Sequence, residues 1–262
     1  MQVAGQVVVV TGGADGIGRA LCERFHKDGA KTVVVADRNV AGAEAVAKAI
    51  DGVAVACDVA NESDVARLVS ETESRVGPIA LFCSNAGIGD FGGTRDNATS
   101  SPNSAWERGW AVNVMAHVYA ARACLPGMIA RGQGYFLNTV SAAGLLSQIG
   151  NAVYATTKHA AIGFAEILAI THRDQGIRVS VLCPQGVDTE LLRAGGRGPQ
   201  HLDGVITPQE CADAAARGIA EDRFLILPHP QVLRYMRNKT EDYERWVAGM
   251  AKLQRNLTAG KV

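Results

Sequence analysis

The sequence predicts an α/β fold in which a doubly wound parallel sheet of seven strands has helices on both faces. Short runs rich in β-branched residues alternate with longer stretches of helical periodicity along the chain. Most of these runs are apolar on both faces, as in strands that helices cover on both sides. Strand–helix alternation of this kind indicates right-handed crossover connections and therefore a parallel sheet.

The predicted elements follow one another without interruption. Strands are expected at 7–10, 32–36, 53–57, 79–84, 135–139, 178–183 and 224–227. Helices are expected near 17–28, 41–50, 62–75, 105–130, 152–173 and 208–220, with a last one near 231–255. No repeat, linker or low-complexity segment breaks the pattern, so a single domain over residues 1–262 is predicted.

Two irregular stretches, 87–104 and 187–207, follow the fourth and the sixth predicted strands. In open parallel sheets, ligands bind beyond the carboxyl ends of the strands. Both stretches are therefore predicted to be substrate loops.

Composition excludes several classes of partner. The 262 residues include 26 Lys and Arg against 26 Asp and Glu, so a zero net charge gives no electrostatic case for nucleic acid or an anionic membrane. No apolar run approaches the roughly 20 residues needed to span a bilayer, and the amino terminus does not resemble a signal peptide.

The six cysteines have no disulfide or CxxC spacing, which predicts buried free thiols. The six histidines lack metal-ligand spacing, so no metal is expected. These features together favour the cytoplasm.

A glycine-rich segment, TGGADGIG at 11–18, joins the first predicted strand to the first helix. Glycines allow a sharp turn and a close approach of a pyrophosphate, while the following helix amino terminus offers free N–H groups. Tight turns also need glycine, but the strand–loop–helix context is that of a Rossmann-type dinucleotide site. The predicted cofactor contacts in this loop are Gly12, Asp15, Gly16, Ile17 and Gly18.

Acidic residues near the ends of strands two and three bear on the choice of cofactor. Asp37 ends the second strand, where a carboxylate can accept hydrogen bonds from the adenosine ribose of NAD and repel the 2′-phosphate of NADP. Arg38 instead favours NADP, because a guanidinium can pair with the 2′-phosphate. NAD is therefore favoured over NADP. Asp58 after strand three either bonds the adenine amino group or serves as a helix cap or turn residue.

Three polar residues predict proton-transfer chemistry. Tyr154 and Lys158 are spaced i, i+4 at the start of a long helix and so share one helical face. A neighbouring ammonium lowers the pKa of a phenol, which then exchanges a proton with a substrate hydroxyl or carbonyl. Ser141 lies just past strand five and is expected to bond the same substrate oxygen.

With these residues in this order, the chain resembles the short-chain dehydrogenase/reductase family over roughly residues 5 to 230. The resemblance implies hydride transfer between NAD(P) and a secondary alcohol or ketone. It implies that Tyr154 is the general acid/base, that Ser141 positions the reacting oxygen and that Lys158 lowers the tyrosine pKa and holds the nicotinamide ribose. Asn113 would support a water-linked proton relay by kinking its helix. Further cofactor contacts implied by the resemblance are Asp58, Val59, Asn85, Ala86, Gly87, Pro184, Val187 and Thr189.

The chain departs from the family pattern at one position, where Gln185 follows Pro184 in place of the usual glycine. Its amide either projects toward the substrate or faces solvent as a turn residue. The other candidate pocket residues come from strand ends and are mostly apolar, which suits an apolar alcohol or ketone. They are Ile88, Gly89, Asp90, Phe91, Ala142, Ala143, Leu145, Leu146, Gln148, Leu191 and Leu192. By resemblance, a homodimer or homotetramer is expected.

Two other functions remain open on the sequence. A non-catalytic module that senses NAD would bind the cofactor without turnover, although it has no use for the complete Ser, Tyr and Lys set. A related lyase or epimerase would recycle a retained NAD without net production of NADH.

Overall fold

The computed structural model describes residues 1–89, 91–195 and 198–259. In chain order the strands in this part of the chain are β1 Val7–Thr11, β2 Thr32–Asp37, β3 Val53–Ala56, β4 Ile79–Ser84, β5 Gly134–Thr139, β6 Ile177–Leu182, β7 Gly186–Val187, β8 Val205–Ile206 and β9 Leu225–Ile226. Seven of them form one parallel sheet, in the spatial order β3-β2-β1-β4-β5-β6-β9. The two short strands β7 and β8 pair with each other.

Helices connect the strands and cover both faces of the sheet. In chain order they are α1 Gly16–Lys27, α2 Val40–Ala49, α3 Glu62–Arg75, α4 Asn103–Trp110, α5 Ala116–Ala130, α6 Ala143–Leu146, α7 Ala152–His172, α8 Glu190–Ala194, α9 Pro208–Ala220, α10 Gln231–Glu241 and α11 Tyr243–Thr258. The seven-stranded parallel sheet and its flanking helices confirm the predicted fold class.

Alternation along β1 shows how the sheet is buried on both sides. Val8 and Val10 pack with Phe25 of α1 in one apolar cluster, whereas Val9 packs with Leu68 of α3 in a second cluster. The two clusters lie on opposite faces because successive strand side chains point in opposite directions. All six cysteines are buried and free, which confirms that prediction.

Local sequence accounts for the helix starts nearest the site. The Asp15 side chain accepts the Gly16 N–H at the start of α1. Asn151 accepts the Tyr154 N–H at 3.0 Å at the start of α7. Each satisfies a backbone donor that has no partner within its helix. The first turns of α1 and α7 are thus held at the carboxyl edge of the sheet.

Three predicted elements differ from the structure. The helix expected near 105–130 is interrupted by a π-helical turn at Ala111–Met115 between α4 and α5. The helix expected near 231–255 is two helices, because Asp242 is extended at φ −149° and caps α11 by accepting the Arg245 N–H at 2.9 Å. The segment 187–207 is not wholly irregular, since it carries α8 and β8. No helix in the described ranges is long and apolar enough to cross a membrane.

Candidate active site

The loops that follow β1 and β4 are tied together by one threonine. Thr11 Oγ1 accepts the N–H groups of Asn85 at 3.0 Å and Ala86 at 3.2 Å. The Asn85 carboxamide in turn donates to the Thr11 carbonyl at 3.0 Å. The predicted Asn85-Ala86-Gly87 segment therefore lies directly beside the glycine loop.

The glycines of the first loop stand where a side chain would be strained or would collide. Gly12 has a φ of +65°, and a Cβ there would lie 2.8 Å from Ala86 Cα. Gly16 has a φ of +54°, and a Cβ there would lie 3.1 Å from Thr189 Cγ2. At Gly18 a Cβ would collide with the Gly12 carbonyl oxygen at 1.9 Å. The loop is shaped by backbone conformation and close approach, as a dinucleotide cradle requires.

Asp37 connects the end of β2 to the same loop. Its Oδ2 accepts the Ala14 N–H at 3.1 Å, and its Oδ1 accepts the Asn39 N–H at 2.8 Å. Each carboxylate oxygen keeps a further lone pair for a ribose hydroxyl. Asp15 and Arg38 are both exposed. Asp37 itself lies outside the glycine loop, and that loop holds its carboxylate directly.

Three further predicted cofactor contacts have structural roles in the turn after β3 or in the apolar core. Asp58 is exposed and accepts the Ala60 N–H at 3.0 Å, which is the turn role weighed against adenine binding. Val59 is 7% exposed within the apolar core, so its side chain serves packing. Ile17 is half-buried and also packs on the core.

Pro184, Val187 and Thr189 follow β6 at the same edge. Pro184 and Val187 are buried. Thr189 Oγ1 donates to the Val187 carbonyl at 3.2 Å and accepts the Leu192 N–H at 3.3 Å, which caps α8. Because Thr189 also lies against Gly16, the segment after β6 closes over the glycine loop.

Asn113 lies at the centre of the π-helical turn and is fully buried. Its Oδ1 accepts the Ile88 N–H at 3.0 Å, and its Nδ2 donates to the Ile88 carbonyl at 3.0 Å and to Thr157 Oγ1 at 3.2 Å. A π-helical turn is often found at functional sites, where it re-aims a side chain. Asn113 therefore joins the loop after β4 to α7. The predicted kink and proton relay at this residue stay predictions.

Ser141, Tyr154 and Lys158 converge at the carboxyl end of β5. The Ser141 hydroxyl acts on the Tyr154 phenol, whose pKa it lowers. Lys158 Nζ lies 5.7 Å from the Tyr154 ring centroid and donates to the Thr139 carbonyl at 3.3 Å. Ser141 Oγ accepts the Ala143 N–H at 3.0 Å and donates to the Pro184 carbonyl at 3.5 Å. The structure thus brings all three predicted residues together.

Burial dominates the electrostatics of this group. Burial raises the pKa of Tyr154 above its ordinary value, and the Ser141 hydroxyl acts in the opposite direction. The expectation that Lys158 lowers this pKa stays a prediction. Burial also lowers the pKa of Lys158 to about 8. A low-dielectric site therefore disfavours both charges.

One side of the Tyr154 ring is lined by apolar groups. A Cβ at Gly89 would lie 3.0 Å from Leu191 Cδ1 and 3.7 Å from Tyr154 Cε2, so both side chains flank this glycine. Ile88 and Phe91 pack in the same apolar cluster as Tyr154. Leu191 itself is 45% exposed. Four predicted pocket residues, Ile88, Gly89, Phe91 and Leu191, thus belong to the apolar surroundings of Tyr154.

Other predicted pocket residues have different roles. Ala142 and Leu146 are buried against Val232 of α10, with Leu145 packed beside them, so they support the site and do not line it. Ala143 is also buried, and Leu192 is half-buried on α8. Gln148 donates to Gln200 at 3.0 Å, which links two loops. The Gln185 side-chain oxygen is buried, which rules out a turn residue facing solvent. Asp90 lies outside the described residues.

Asn151 is a site residue that sequence reasoning missed. It caps α7 under Tyr154, and its Nδ2 donates to the Gly89 carbonyl at 2.7 Å. The available signal was an Asn three residues before a helical Tyr, which is the spacing of an amino-terminal cap. Asn151 therefore fixes both the phenol-bearing turn and the pocket loop.

Comparisons with known proteins agree with this geometry. A family model described as short chain dehydrogenase matches residues 6–198. The chain is 32% identical over 256 residues to 1-deoxy-11-beta-hydroxypentalenate dehydrogenase of Streptomyces exfoliatus, covering 95% of this chain and 92% of that protein. It is 29% identical over 243 residues to epidermal retinol dehydrogenase 2 of Homo sapiens, covering 89% and 77%. A solved short chain dehydrogenase/reductase from Burkholderia phymatum in complex with NAD superposes with a TM-score of 0.83 at 28% identity, covering 93% of this chain and 96% of that one.

Proposed function

This chain belongs to the short chain dehydrogenase family and transfers hydride between a nicotinamide cofactor and an alcohol or carbonyl compound, and from that premise we propose that its cofactor is NAD and its substrate a largely apolar secondary alcohol or ketone. The observation that carries the proposal is the convergence of Ser141, Tyr154 and Lys158 beside the apolar groups that flank Gly89.

The residues around the first loop fit a dinucleotide. Gly12 and Gly16 have positive φ angles and pack closely against Ala86 and Thr189, so the loop turns sharply into the amino terminus of α1, where N–H groups can bind a pyrophosphate. Asp37 is positioned by the loop itself and supports NAD, because its charge would repel a 2′-phosphate. The exposed Arg38 is the only neighbour in sequence that favours NADP. Thr189 and Val187 would contact the nicotinamide end.

The bound nicotinamide supplies the hydride acceptor or donor, and the chain supplies the proton. Since burial keeps the Tyr154 phenol protonated at neutral pH, this residue is ready to donate a proton to a carbonyl oxygen during reduction. During alcohol oxidation its phenolate accepts the hydroxyl proton, and the Lys158 ammonium stabilises that negative charge. Ser141 holds the reacting oxygen by a hydrogen bond, and Asn113 holds the turn from which a proton path to solvent would start.

The substrate side favours a compound with little charge. Ile88 and Phe91 share an apolar cluster with Tyr154, and Leu191 lies with Tyr154 beside Gly89. Apolar surface of this kind favours an apolar substrate that displaces water. Arg193 of α8, beside Leu191, is paired with Asp188. The names of the two relatives, for a hydroxypentalenate and for retinol, also indicate alcohol substrates.

The assembly is proposed to be a homodimer or homotetramer. Two isoleucines of α7, Ile167 and Ile170, are 62% and 75% exposed on one helix. Exposed large apolar side chains grouped on one surface favour a protein–protein contact. Light scattering of the purified protein should give at least twice the monomer mass, and Ile170→Glu should lower it.

The decisive experiment measures NADH or NADPH fluorescence while a panel of secondary alcohols is offered with NAD or NADP. The proposal expects turnover with NAD and an apolar alcohol, and a loss of at least about 100-fold in Tyr154→Phe, the scale of general acid–base catalysis. Tyr243→Phe, which removes the hydroxyl of an exposed tyrosine on α11, is the matched control. A Tyr154→Phe variant as active as the wild type would reject the mechanism, and a clear NADP preference would reject the role of Asp37.

A further inference from the structure

A buried imidazole reaches the active-site loop from the far end of the chain. His229 lies between Pro228 and Pro230, after β9, and is 2% exposed. Its Nδ1 accepts the backbone N–H of Gln185 at 3.2 Å. The flanking prolines restrict the backbone on either side of this histidine, so the ring is presented in a defined orientation.

The N–H that His229 accepts belongs to the peptide group whose carbonyl faces Ser141. That peptide joins Pro184 to Gln185. At its carbonyl end, Pro184 oxygen accepts the Ala142 N–H at 2.8 Å and the Ser141 Oγ–H at 3.5 Å. A peptide group is planar, and its N–H and C=O point in opposite directions. The orientation fixed by His229 at one end therefore sets the direction of the acceptor for Ser141 at the other.

Ser141 connects this peptide group to the phenol. Its hydroxyl donates to the Pro184 carbonyl and lowers the pKa of Tyr154, so a rotation of the Pro184–Gln185 peptide would change where the hydroxyl points and how it acts on the phenol. Small misplacements of positioning groups are costly, since about 1 Å can reduce a rate by about 100-fold. The contacts thus run from His229 through one peptide group to Ser141 and Tyr154.

We propose that His229 is a positioning residue for hydride transfer, whose neutral imidazole orients the Pro184–Gln185 peptide and, through it, the Ser141 hydroxyl. This inference rests on the proposed function, because it assigns a role in the same catalytic group. His229 touches neither the substrate nor the cofactor in this account.

The role requires an unprotonated Nδ1. Burial lowers the pKa of His229 below its ordinary value of 6.5. The Asp203 and Glu210 carboxylates and the nearby backbone of Gly186 and Gly204 act on this pKa in the opposite direction without reversing the shift. The imidazole is therefore neutral at pH 7 and accepts the Gln185 N–H. Acidification through the lowered pKa places a proton on Nδ1 and breaks that bond.

The test compares two substitutions that differ in one acceptor atom. His229→Asn places Oδ1 at the same number of bonds from Cβ as Nδ1 and retains the acceptor without titrating. His229→Leu has similar bulk and no acceptor. For the wild type and both variants, kcat, KM and the Kd for NADH are measured from pH 5 to 8, with amide hydrogen exchange of the segment around Gln185.

The inference expects kcat at pH 7 to fall about 10- to 100-fold in His229→Leu, with the Kd for NADH within about threefold of the wild type. In His229→Asn, kcat should return to within about threefold of the wild type. The Gln185 amide should exchange faster in the leucine variant only. The wild-type kcat should decline below pH 6.5, whereas the asparagine variant should lack that decline.

Several outcomes would overturn the inference. Equal kcat values in both variants, whether high or low, would show that the acceptor atom does not matter. An acid decline retained in His229→Asn would assign that decline to another group, and this comparison remains decisive if His229→Leu does not fold. A wild-type protein that turns over no alcohol would instead contradict the proposed function. In that case hydrogen exchange would still report whether His229 holds the Gln185 amide.

Discussion

The carboxamide of Asn113 and the backbone of Ile88 exchange two hydrogen bonds, with Oδ1 accepting the N–H at 3.0 Å and Nδ2 donating to the carbonyl at 3.0 Å. This pair of hydrogen bonds resembles the reciprocal N–H···O=C bonds between two residues of paired β-strands, although one partner is a side chain within a π-helical turn. It fixes the loop that begins the substrate side of the site.

Replacing Asn113 by Leu should therefore destabilise the fold as well as the site. Both backbone groups of Ile88 would lose their partner in a buried environment, at a cost of about 1–3 kcal/mol for each group. Urea unfolding should show a decrease of about 2–5 kcal/mol in the free energy of unfolding. Thr157→Val removes only the hydroxyl that Asn113 also contacts and should cost clearly less. Similar costs for the two variants would contradict this account.

The buried charge of Lys158 should lower the free energy of unfolding of the ligand-free protein. Its pKa is about 8 when folded and 10.5 ordinarily, so the unfolded chain binds its proton more tightly. The penalty is full below about pH 8 and disappears as the pH rises to 10.5. Lys158→Met should thus raise the free energy of unfolding by roughly 3 kcal/mol at pH 7, from about 1.4 kcal/mol per pH unit.

This gain should vanish toward pH 10.5, which distinguishes titration of Lys158 from a pH-independent gain in packing. The same variant should lose activity, because the phenolate of Tyr154 loses its ammonium. A wild type that is more stable than Lys158→Met at pH 7 would show that the contact with the Thr139 carbonyl outweighs burial of the charge.

Gly16 and Gly163 offer a matched pair of Gly→Ala substitutions. At Gly16 the φ of +54° and the contact with Thr189 make alanine strained, so we expect a loss of about 1 kcal/mol or more together with weaker NADH binding. Gly163 lies on α7 with nothing within 4 Å of its Cβ position, and alanine there should add about 0.5–1 kcal/mol. Thermal unfolding and cofactor titration by fluorescence measure both effects. A Gly16→Ala variant that binds NADH like the wild type would argue against this loop as the cofactor cradle.

Asp37→Ala should weaken NADH binding by about 10- to 100-fold, since hydrogen bonds to a charged group contribute about 1.5–3 kcal/mol. The ratio of NADP to NAD turnover should rise at the same time because the negative charge is gone. Combining it with Arg38→Ala should reverse part of the gain with NADP. An unchanged cofactor ratio in Asp37→Ala would remove the argument for NAD.

Much of the site could be predicted from the amino-acid sequence alone. The strands, the glycine loop, Asp37 and the set of Ser141, Tyr154 and Lys158 depend on short-range patterns, such as apolar runs, helical spacing and a loop between strand and helix. Parallel strands then bring their carboxyl ends to one edge, so residues after different strands meet without further information. This is why the predicted fold class agrees with the structure.

Contacts between distant segments could be decided only by the tertiary structure. Whether Asp58 faces a ligand or caps a turn, why the helix around Asn113 widens, and which residues lie under α10 depend on neighbours far away in the chain. The raised pKa of Tyr154 is also a property of the folded protein, because its main cause is burial. The i, i+4 spacing to Lys158 alone suggests a lowered pKa. His229 belongs to no recognised sequence motif, and only folding brings its ring to the Gln185 N–H. Local patterns specify elements and their edges, whereas burial and hydrogen-bond partners are properties of the packed chain.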